Sequence, residues 1–381
     1  MINEFITMIS RFTKLYKLMF LGLLFYVILV SALCLMIASY TVNSINPFVV
    51  FNYFSSEVLG IFKYQLDRLS SLSQSYSVID VINSPAFYLA FSAIFSALMF
   101  ELVWFIFRFN NLKLAFRSSS LYRLFFSKDK STTTDRYLIS YWFLTLDTFV
   151  VGLLGLLGPF FIYAMLSNGV KITTLSDVGV HPVILFLIFV ILMDFFSYWT
   201  HRWSHALRPF WEFHKFHHGA TEMNMVTALR NHPMEMALLM PFKAIVLIIV
   251  GGGFEHYLIF TWMNLFIIML HHSNFDWRWK YLDFVIVTPL FHRLHHSSKD
   301  VHFDKNFGVL FSFWDTMFKT RYLGKDEEVI YGVTGNYFNS KGIINDLLKP
   351  LYLFAVCFSL TKKQRIWLIM KFNIIKSLIF N

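Results

Sequence analysis

Cysteine is nearly absent from this chain: two in 381 residues, Cys34 and Cys357, each inside an apolar run. No disulfide framework and no thiolate cage for structural zinc or an iron–sulfur cluster can be built from so few. Both read as small hydrophobes. Charge is also scarce, at 15% of residues against roughly 25% in an ordinary soluble domain. With 56% of the chain hydrophobic, intrinsic disorder is excluded, because it needs low hydrophobicity and high charge density. The glycine-rich loops that cradle nucleotides are missing, as are a G-x-S-x-G elbow and any internal repeat. The usual marks of nucleotide enzymes, serine hydrolases and solenoids are therefore not there.

What is present is apolar bulk: 46 Phe and a mean hydropathy of +0.55. A membrane helix needs about 20 apolar residues to cross a core of about 30 Å. Residues 18–40 meet this without a charge, and 84–107 do so with only Glu101 near the end. The block 137–166 carries Asp147 and Pro159 and suits one tilted or broken span, and 182–200 is a fourth, with Asp194 inside. The run 18–40 is longer than the apolar region of a cleaved signal and no A-x-A site follows, so it reads as a retained anchor. Segments 236–250 and 257–271 are too short for confident spans and read as an interfacial hairpin over 236–271, turning at Gly251-Gly252-Gly253. The basic apolar stretch 364–380 reads as an interfacial helix with Lys371 and Lys376 at the headgroups.

The net charge of +10 is explained by topology before nucleic acid. Lys and Arg number three before the first span, two in 41–83, seven in 108–136 and one in 167–181. The positive-inside rule then puts the N-terminus, loop 108–136 and everything from about residue 201 on the cytoplasmic side. The expected architecture is all-α: a multi-pass membrane bundle of about four transmembrane helices with a cytoplasm-facing helical metal-binding cap. Residues 1–181 form an N-terminal membrane region, 182–323 a histidine-rich domain and 324–381 a tail.

Histidine is the anomaly. Twelve of the 14 lie between 201 and 296, many at helical spacing: His201 and His205 in HRWSH, His214, His217 and His218 in HKFHH, and His292, His295 and His296 in HRLHH. Residues three and four apart share a helix face, so each box aims its imidazoles at one point. Eight imidazoles beside a bilayer are costly unless something binds their lone pairs, and a metal does so directly. Neutral imidazole suits zinc, copper, iron and nickel. Eight ligands exceed one coordination sphere, so two metals are implied, and the inert C–H bonds of a lipid bilayer favour a redox pair, two irons, over hydrolytic zinc. Asp194 lies two helical turns before His201 on the same face and is the expected carboxylate partner of a ligand imidazole. Glu235, three residues after His232, is another candidate. Tyr198 reads as an interfacial aromatic.

With these boxes the sequence resembles the fatty acid hydroxylase/sterol desaturase superfamily of integral membrane di-iron oxidases. The resemblance runs from about Asp194 to Tyr322 through DFFSYWTHRWSH, WEFHKFHH, ALRNHPME, LHHSNFDW, TPLFHRLHH and DKNFGVLFSFWDTMFKT. It implies that His201, His205, His214, His217, His218, His292, His295 and His296 are metal ligands and catalytic. His272 matches the family's lone histidine between boxes, and His232 matches a common but not universal one, a ligand or a neighbour of ligands. Asp304 and Asp315 fall in the closing elements and are candidates to support the ligands. His271 has no counterpart and is assigned a surface or supporting role; His181, His256 and His302 lie outside the pattern. Lys319 stands where the family usually has glycine, and Gly219 where serine is frequent.

The implied activity is hydroxylation of a lipid C–H bond with O2 as co-substrate and two iron ions as cofactor. No haem, flavin or ferredoxin segment is evident, so electrons are expected from an external donor, a reductase with ferredoxin or cytochrome. A membrane lipid is the expected substrate and nucleic acid is not a partner. The alternatives on the same scaffold are a lipid or sterol desaturase and an ether-lipid monooxygenase. From another class, a histidine-rich metal transporter would place its ligands near the bilayer midplane on several spans.

Overall fold

The computed structural model describes residues 85–138, 175, 177–232, 234–235, 246, 250, 254–275, 281–324, 329–333, 338 and 343–357. The predicted span 18–40, nearly all of 137–166, most of 236–250 and the tail helix 364–380 lie outside them. Among the described residues the architecture is helical, with two isolated antiparallel bridges, Ile286 to Phe311 and Ser297 to Tyr331.

Helix α1, Pro85–Phe109, and helix α4, Pro182–Ala206, each have 25 residues, about 37 Å at the helical rise. They are the two described helices long and apolar enough to cross a membrane. Tyr88, Phe91, Phe95 and Phe107 of α1 and Val183, Ile184, Leu187 and Ile191 of α4 are exposed, an arrangement suited to lipid. Helix α4 starts where Pro182 sits in its first turn and the His181 ring accepts from the Val183 amide. It runs six residues beyond the expected span, so His201 and His205 ride on the same rigid rod.

Between these helices come α2, Leu112–Ser118, and α3, Ser120–Phe126, capped by Asn111 and Ser119. Buried Glu101 of α1 accepts from the Ser120 amide at 2.7 Å and its hydroxyl at 2.9 Å, so the charge that interrupts the apolar run anchors the α2–α3 corner.

Helix α5, Arg208–His218, leaves α4 through a single residue, Leu207, with Pro209 in its first turn. Helix α6, Phe254–His271, begins three residues before the expected second arm of the hairpin and packs along α1. Between these elements lies an apolar core of Ala97, Phe105, Met225, Ala228, Met269 and Phe275. Short helices α7, Pro289–His295, and α8, Phe313–Met317, follow, and α9, Ile343–Cys357, lies on α5. A buried ion pair ties these parts together. The Arg230 guanidinium donates to Asp135 at 3.1 Å and to the Phe216 carbonyl at 2.9 Å, while Asp135 also accepts from Thr227 at 2.9 Å.

Candidate metal centre

Four helix ends converge on one buried point. The C-terminal end of α4 brings His201 and His205, α5 brings His214, His217 and His218, and the residue after α6 is His272. Helix α7 with its C-cap brings His292, His295 and His296. They sort into two clusters: His201, His205, His214, His218 and His295 in one, and His217, His272, His292 and His296 in the other. Within each, one ring nitrogen per residue lies within 4.8 Å of all the rest. The clusters abut where His218 stacks on His296, ring centroids 4.3 Å apart.

The Nε2 atoms face one another. His214 to His218 is 3.1 Å, His217 to His272 is 3.3 Å, His272 to His292 is 3.2 Å and His292 to His296 is 3.0 Å. Such spacings are those of neighbouring ligands around one ion with metal–nitrogen bonds of about 2.1 Å. The Nε2 atoms of His205 and His295 are buried with no hydrogen-bond partner, a cost of ~1–3 kcal/mol each unless something else binds them. Burial in this apolar pocket holds His217, His218, His292 and His296 well below the usual imidazole pKa and pushes His295 down to about 3. These rings are therefore neutral at pH 7 and offer lone pairs. The donor set fits metal ions, and among the described residues no carboxylate or thiol joins it.

Residues 186–320 match the family model for fatty acid hydroxylase. This segment is a fatty acid hydroxylase domain. The chain is 28% identical over 142 residues to alkylglycerol monooxygenase of Homo sapiens, covering 37% of this chain and 31% of that protein. It is 27% identical over 162 residues to ornithine lipid hydroxylase OlsE of Rhizobium tropici, covering 42% and 48%. Delta(7)-sterol 5(6)-desaturase ERG3A of Gibberella zeae is 26% identical over 162 residues, covering 42% and 44%. The match spans less than half the length of each of these relatives. No solved structure matches.

In the fatty acid hydroxylase domain the outward nitrogens of three cluster rings are held by backbone, whereas those of His217 and His292 are buried without a hydrogen-bond partner. Nδ1–H of His201 donates to the Phe307 carbonyl at 2.8 Å, that of His295 to Lys305 at 2.7 Å and that of His272 to Ile268 at 2.7 Å. Each bond fixes the tautomer that leaves Nε2 free for a metal. Glu235 supports a cluster ring, that of His214 rather than the nearby His232, meeting its Nδ1 at 2.6 Å.

Asp194 does not. Its carboxylate accepts from the amides of Leu310 and Phe311 at 2.8 and 3.0 Å and from the Trp314 indole at 2.9 Å, and so docks the closing loop on α4. Asp315 acts on the same loop, accepting from Phe307 and Gly308 amides at 2.7 Å each and from the Thr320 hydroxyl at 2.6 Å. A side chain at Gly308 would meet the Phe311 carbonyl at 2.7 Å and Asp315 at 2.8 Å, which is why that position is glycine. Asn306, at φ 61, bonds the Phe291 and Tyr322 carbonyls. The carbonyls on either side of Asn306 are those that receive His295 and His201.

His232 stands outside both clusters. Its Nε2–H donates to the Leu347 carbonyl at 2.8 Å and its Nδ1 accepts from Met234 at 3.2 Å, so both nitrogens are used in joining α9 to the strip that carries Glu235. Asp304 lies 4.0 Å from Nδ1 of His205, beyond hydrogen-bond reach, with its side chain 75% exposed. Tyr198, expected at a membrane interface, is fully buried and bonds Thr320 at 2.8 Å. His271 is buried too and donates to the Val287 carbonyl at 2.9 Å, which sets the approach to α7. The departures from the family pattern are accommodated: Lys319 takes the left-handed conformation at φ 60, and the space beside Gly219 is filled by the Phe338 ring.

Proposed function

We propose that this protein is a multi-pass membrane oxygenase that hydroxylates a C–H bond of a lipid. The observation that carries the reading is the pair of all-histidine clusters, nine rings gathered at one buried point, inside a fatty acid hydroxylase domain. His201, His205, His214, His218 and His295 would hold one iron, and His217, His272, His292 and His296 the second. A di-iron centre supplies the reduction of dioxygen and the oxidising power to break an unactivated C–H bond. The balance is one lipid C–H, one O2, two electrons and two protons giving one alcohol and one water.

The chain's own share is positional. The carbonyls of Phe307, Lys305 and Ile268 and the carboxylate of Glu235 orient four of the ligand rings, and the apolar packing of Phe307, Tyr198 and Trp314 excludes water. Electrons come from an external carrier, a reductase with ferredoxin or cytochrome, and the substrate from the surrounding bilayer. In the full topology we place four spans, 18–40, 84–107, 137–166 and the helix from 182, with the metal centre on the cytoplasmic face. Residues 1–181 then form the membrane region, 182–323 the di-iron domain and 324–381 the tail. A metal transporter is not favoured, because the ligands gather at helix ends in one compact centre.

The test is lipid mass spectrometry of cells expressing the chain under 18O2. The expected result is a lipid that gains one 18O atom with the wild type and none with His217→Ala. An unchanged lipid profile in both would overturn the reading.

A further inference from the structure

The closing loop reaches back along the membrane helix. Asp194, which docks the amides of Leu310 and Phe311, lies two helical turns before His201 on α4, about 10 Å along the axis from the metal centre. Leu310 and Phe311 pack there with Phe189 and Met193, within the stretch of α4 whose Leu187 and Ile191 are exposed on the lipid-suited face. Irregular backbone is tolerated at such a depth only where its polar groups are satisfied inside the protein, and here they are. Asp194 and Asp315 accept from the amides of Leu310, Phe311, Phe307 and Gly308. The Val287 amide donates to the Leu310 carbonyl at 2.9 Å, the Ser312 amide to the Val285 carbonyl at 3.0 Å and the Ser312 hydroxyl to the Asp283 carbonyl at 2.8 Å. These bonds and the Ile286–Phe311 bridge join 283–287 and 310–312 as a small antiparallel pair beside α4.

The outward side of this pair is apolar. Tyr281 is 83% exposed and Met317 60%, and Phe284 and Val285 are about half exposed. Contiguous apolar surface of this kind marks a contact with protein or membrane. Cations accompany it. The Arg321 guanidinium lies 3.7 Å over the Phe284 ring and donates to the Asp283 carbonyl at 2.7 Å. Lys319 is exposed and takes φ 60, a left-handed conformation that lysine adopts at a cost. In the sequence the patch follows Trp277-Arg278-Trp279-Lys280, the indole and cation types enriched where a membrane meets water. Apolar side chains rimmed by lysine and arginine are complementary to acyl chains beneath a layer of phosphate. Because the pair docks at the level of the span, its occupant is the bilayer and not a soluble protein.

We propose that residues 281–287 and 310–319 form a wedge seated in the leaflet on the metal side, with Tyr281, Phe284, Val285 and Met317 among acyl chains and Lys319 at the phosphate layer. Only Thr288 separates Val287 from Pro289, the first residue of α7, so the wedge holds the third histidine box at a fixed height against the lipid. The inference rests on the membrane reading above, in which α4 crosses the bilayer, and adds to it a second, non-helical contact with lipid.

The experiment uses the full chain in phosphatidylcholine vesicles, with Cys34 and Cys357 replaced by serine and a bimane fluorophore attached at one new cysteine at a time. The positions are Leu187→Cys on α4, Phe284→Cys and Met317→Cys on the wedge, Lys319→Cys at its rim and Asp300→Cys as the water reference. The quenchers are phosphatidylcholine brominated in the upper acyl chain and aqueous iodide. Labels at Phe284 and Met317 are expected to lose about half their emission to brominated lipid, as at Leu187, because a wedge about 5–10 Å into the leaflet meets the bromines. Iodide should leave them unchanged. The label at Lys319 should respond weakly to both quenchers, and that at Asp300 to iodide alone. Metal uptake equal to wild type identifies the folded chains, and either wedge position decides the outcome. Iodide quenching at the wedge overturns the proposal while Leu187 still responds to brominated lipid. So does shielding from both quenchers, which a covering protein or a second copy of this chain would give. Loss of the lipid response at Leu187 itself would defeat the membrane reading and the wedge with it.

Discussion

Replacing Asp315 by alanine tests whether the closing loop governs the metal centre. The carboxylate accepts three buried hydrogen bonds, from Phe307 N, Gly308 N and Thr320 Oγ1. Alanine leaves all three donors unsatisfied, at ~1–3 kcal/mol each before relaxation. Because the three share one loop, their costs overlap and a total of about 3–6 kcal/mol is the reasonable expectation. In a domain of roughly 150–250 residues ~1 kcal/mol shifts the unfolding midpoint by roughly 2–4 °C, so Asp315→Ala should melt about 6–24 °C below wild type in the same detergent. The loss reaches the site through the Phe307 peptide, whose carbonyl receives His201 Nδ1–H at 2.8 Å. Freed from Asp315, that carbonyl no longer fixes the His201 tautomer, and metal affinity should fall about 10–100-fold. Asparagine keeps one accepting oxygen and should fall between. The assay is thermal unfolding of the metal-free protein followed by metal titration at a temperature where both variants are folded. A variant that melts and binds metal like wild type would refute the chain of contacts from Asp315 to His201.

Metal-free protein should lose stability on acidification from pH 7 to pH 5. With His295 depressed to about 3 against about 6.5 unfolded, only the unfolded state gains the proton in that window. Each such histidine removes about 2 kcal/mol by pH 5, a loss that denaturation midpoints at the two pH values would show; a flat profile would contradict the burial of neutral rings. Lys319→Gly relieves a left-handed lysine and should stabilise the protein by about 1 kcal/mol, measured as a raised unfolding midpoint with unchanged metal content. Arg230→Ala leaves Asp135 buried without its partner and should cost about 3–5 kcal/mol; an unfolding midpoint at the wild-type value would show that the pair is dispensable.

The histidine boxes were legible because their spacing is local: i,i+3 and i,i+4 on α5 and α7 put rings on one face whatever the rest of the chain does. The pairing of boxes was not, since His217 and His218 are sequence neighbours yet belong to different clusters. Asp194 illustrates the other limit. Its helical phase relative to His201 pointed to an imidazole, but the groups that satisfy it are amides and an indole 116–120 residues away. Backbone acceptors such as Phe307, Lys305 and Ile268 carry no signature at all, because every residue has a carbonyl. Only the loop around Asn306 gives them direction. His232 looked like a ligand from its Asn-His-Pro setting, and its contacts with Leu347 and Met234 make it a tie between segments. Tyr198 was misjudged for a related reason, since a tyrosine near a helix end reads as interfacial until the loop bearing Thr320 covers it.

The central claim is that each histidine cluster holds one iron. The most direct measurement is the metal content of the full chain after anaerobic reconstitution with ferrous iron, together with its Mössbauer spectrum. The account predicts two irons per chain, falling to about one in His292→Ala, which disables only the second cluster. Iron that stays below one per chain in the wild type, or remains at two when His292 is removed, would contradict it.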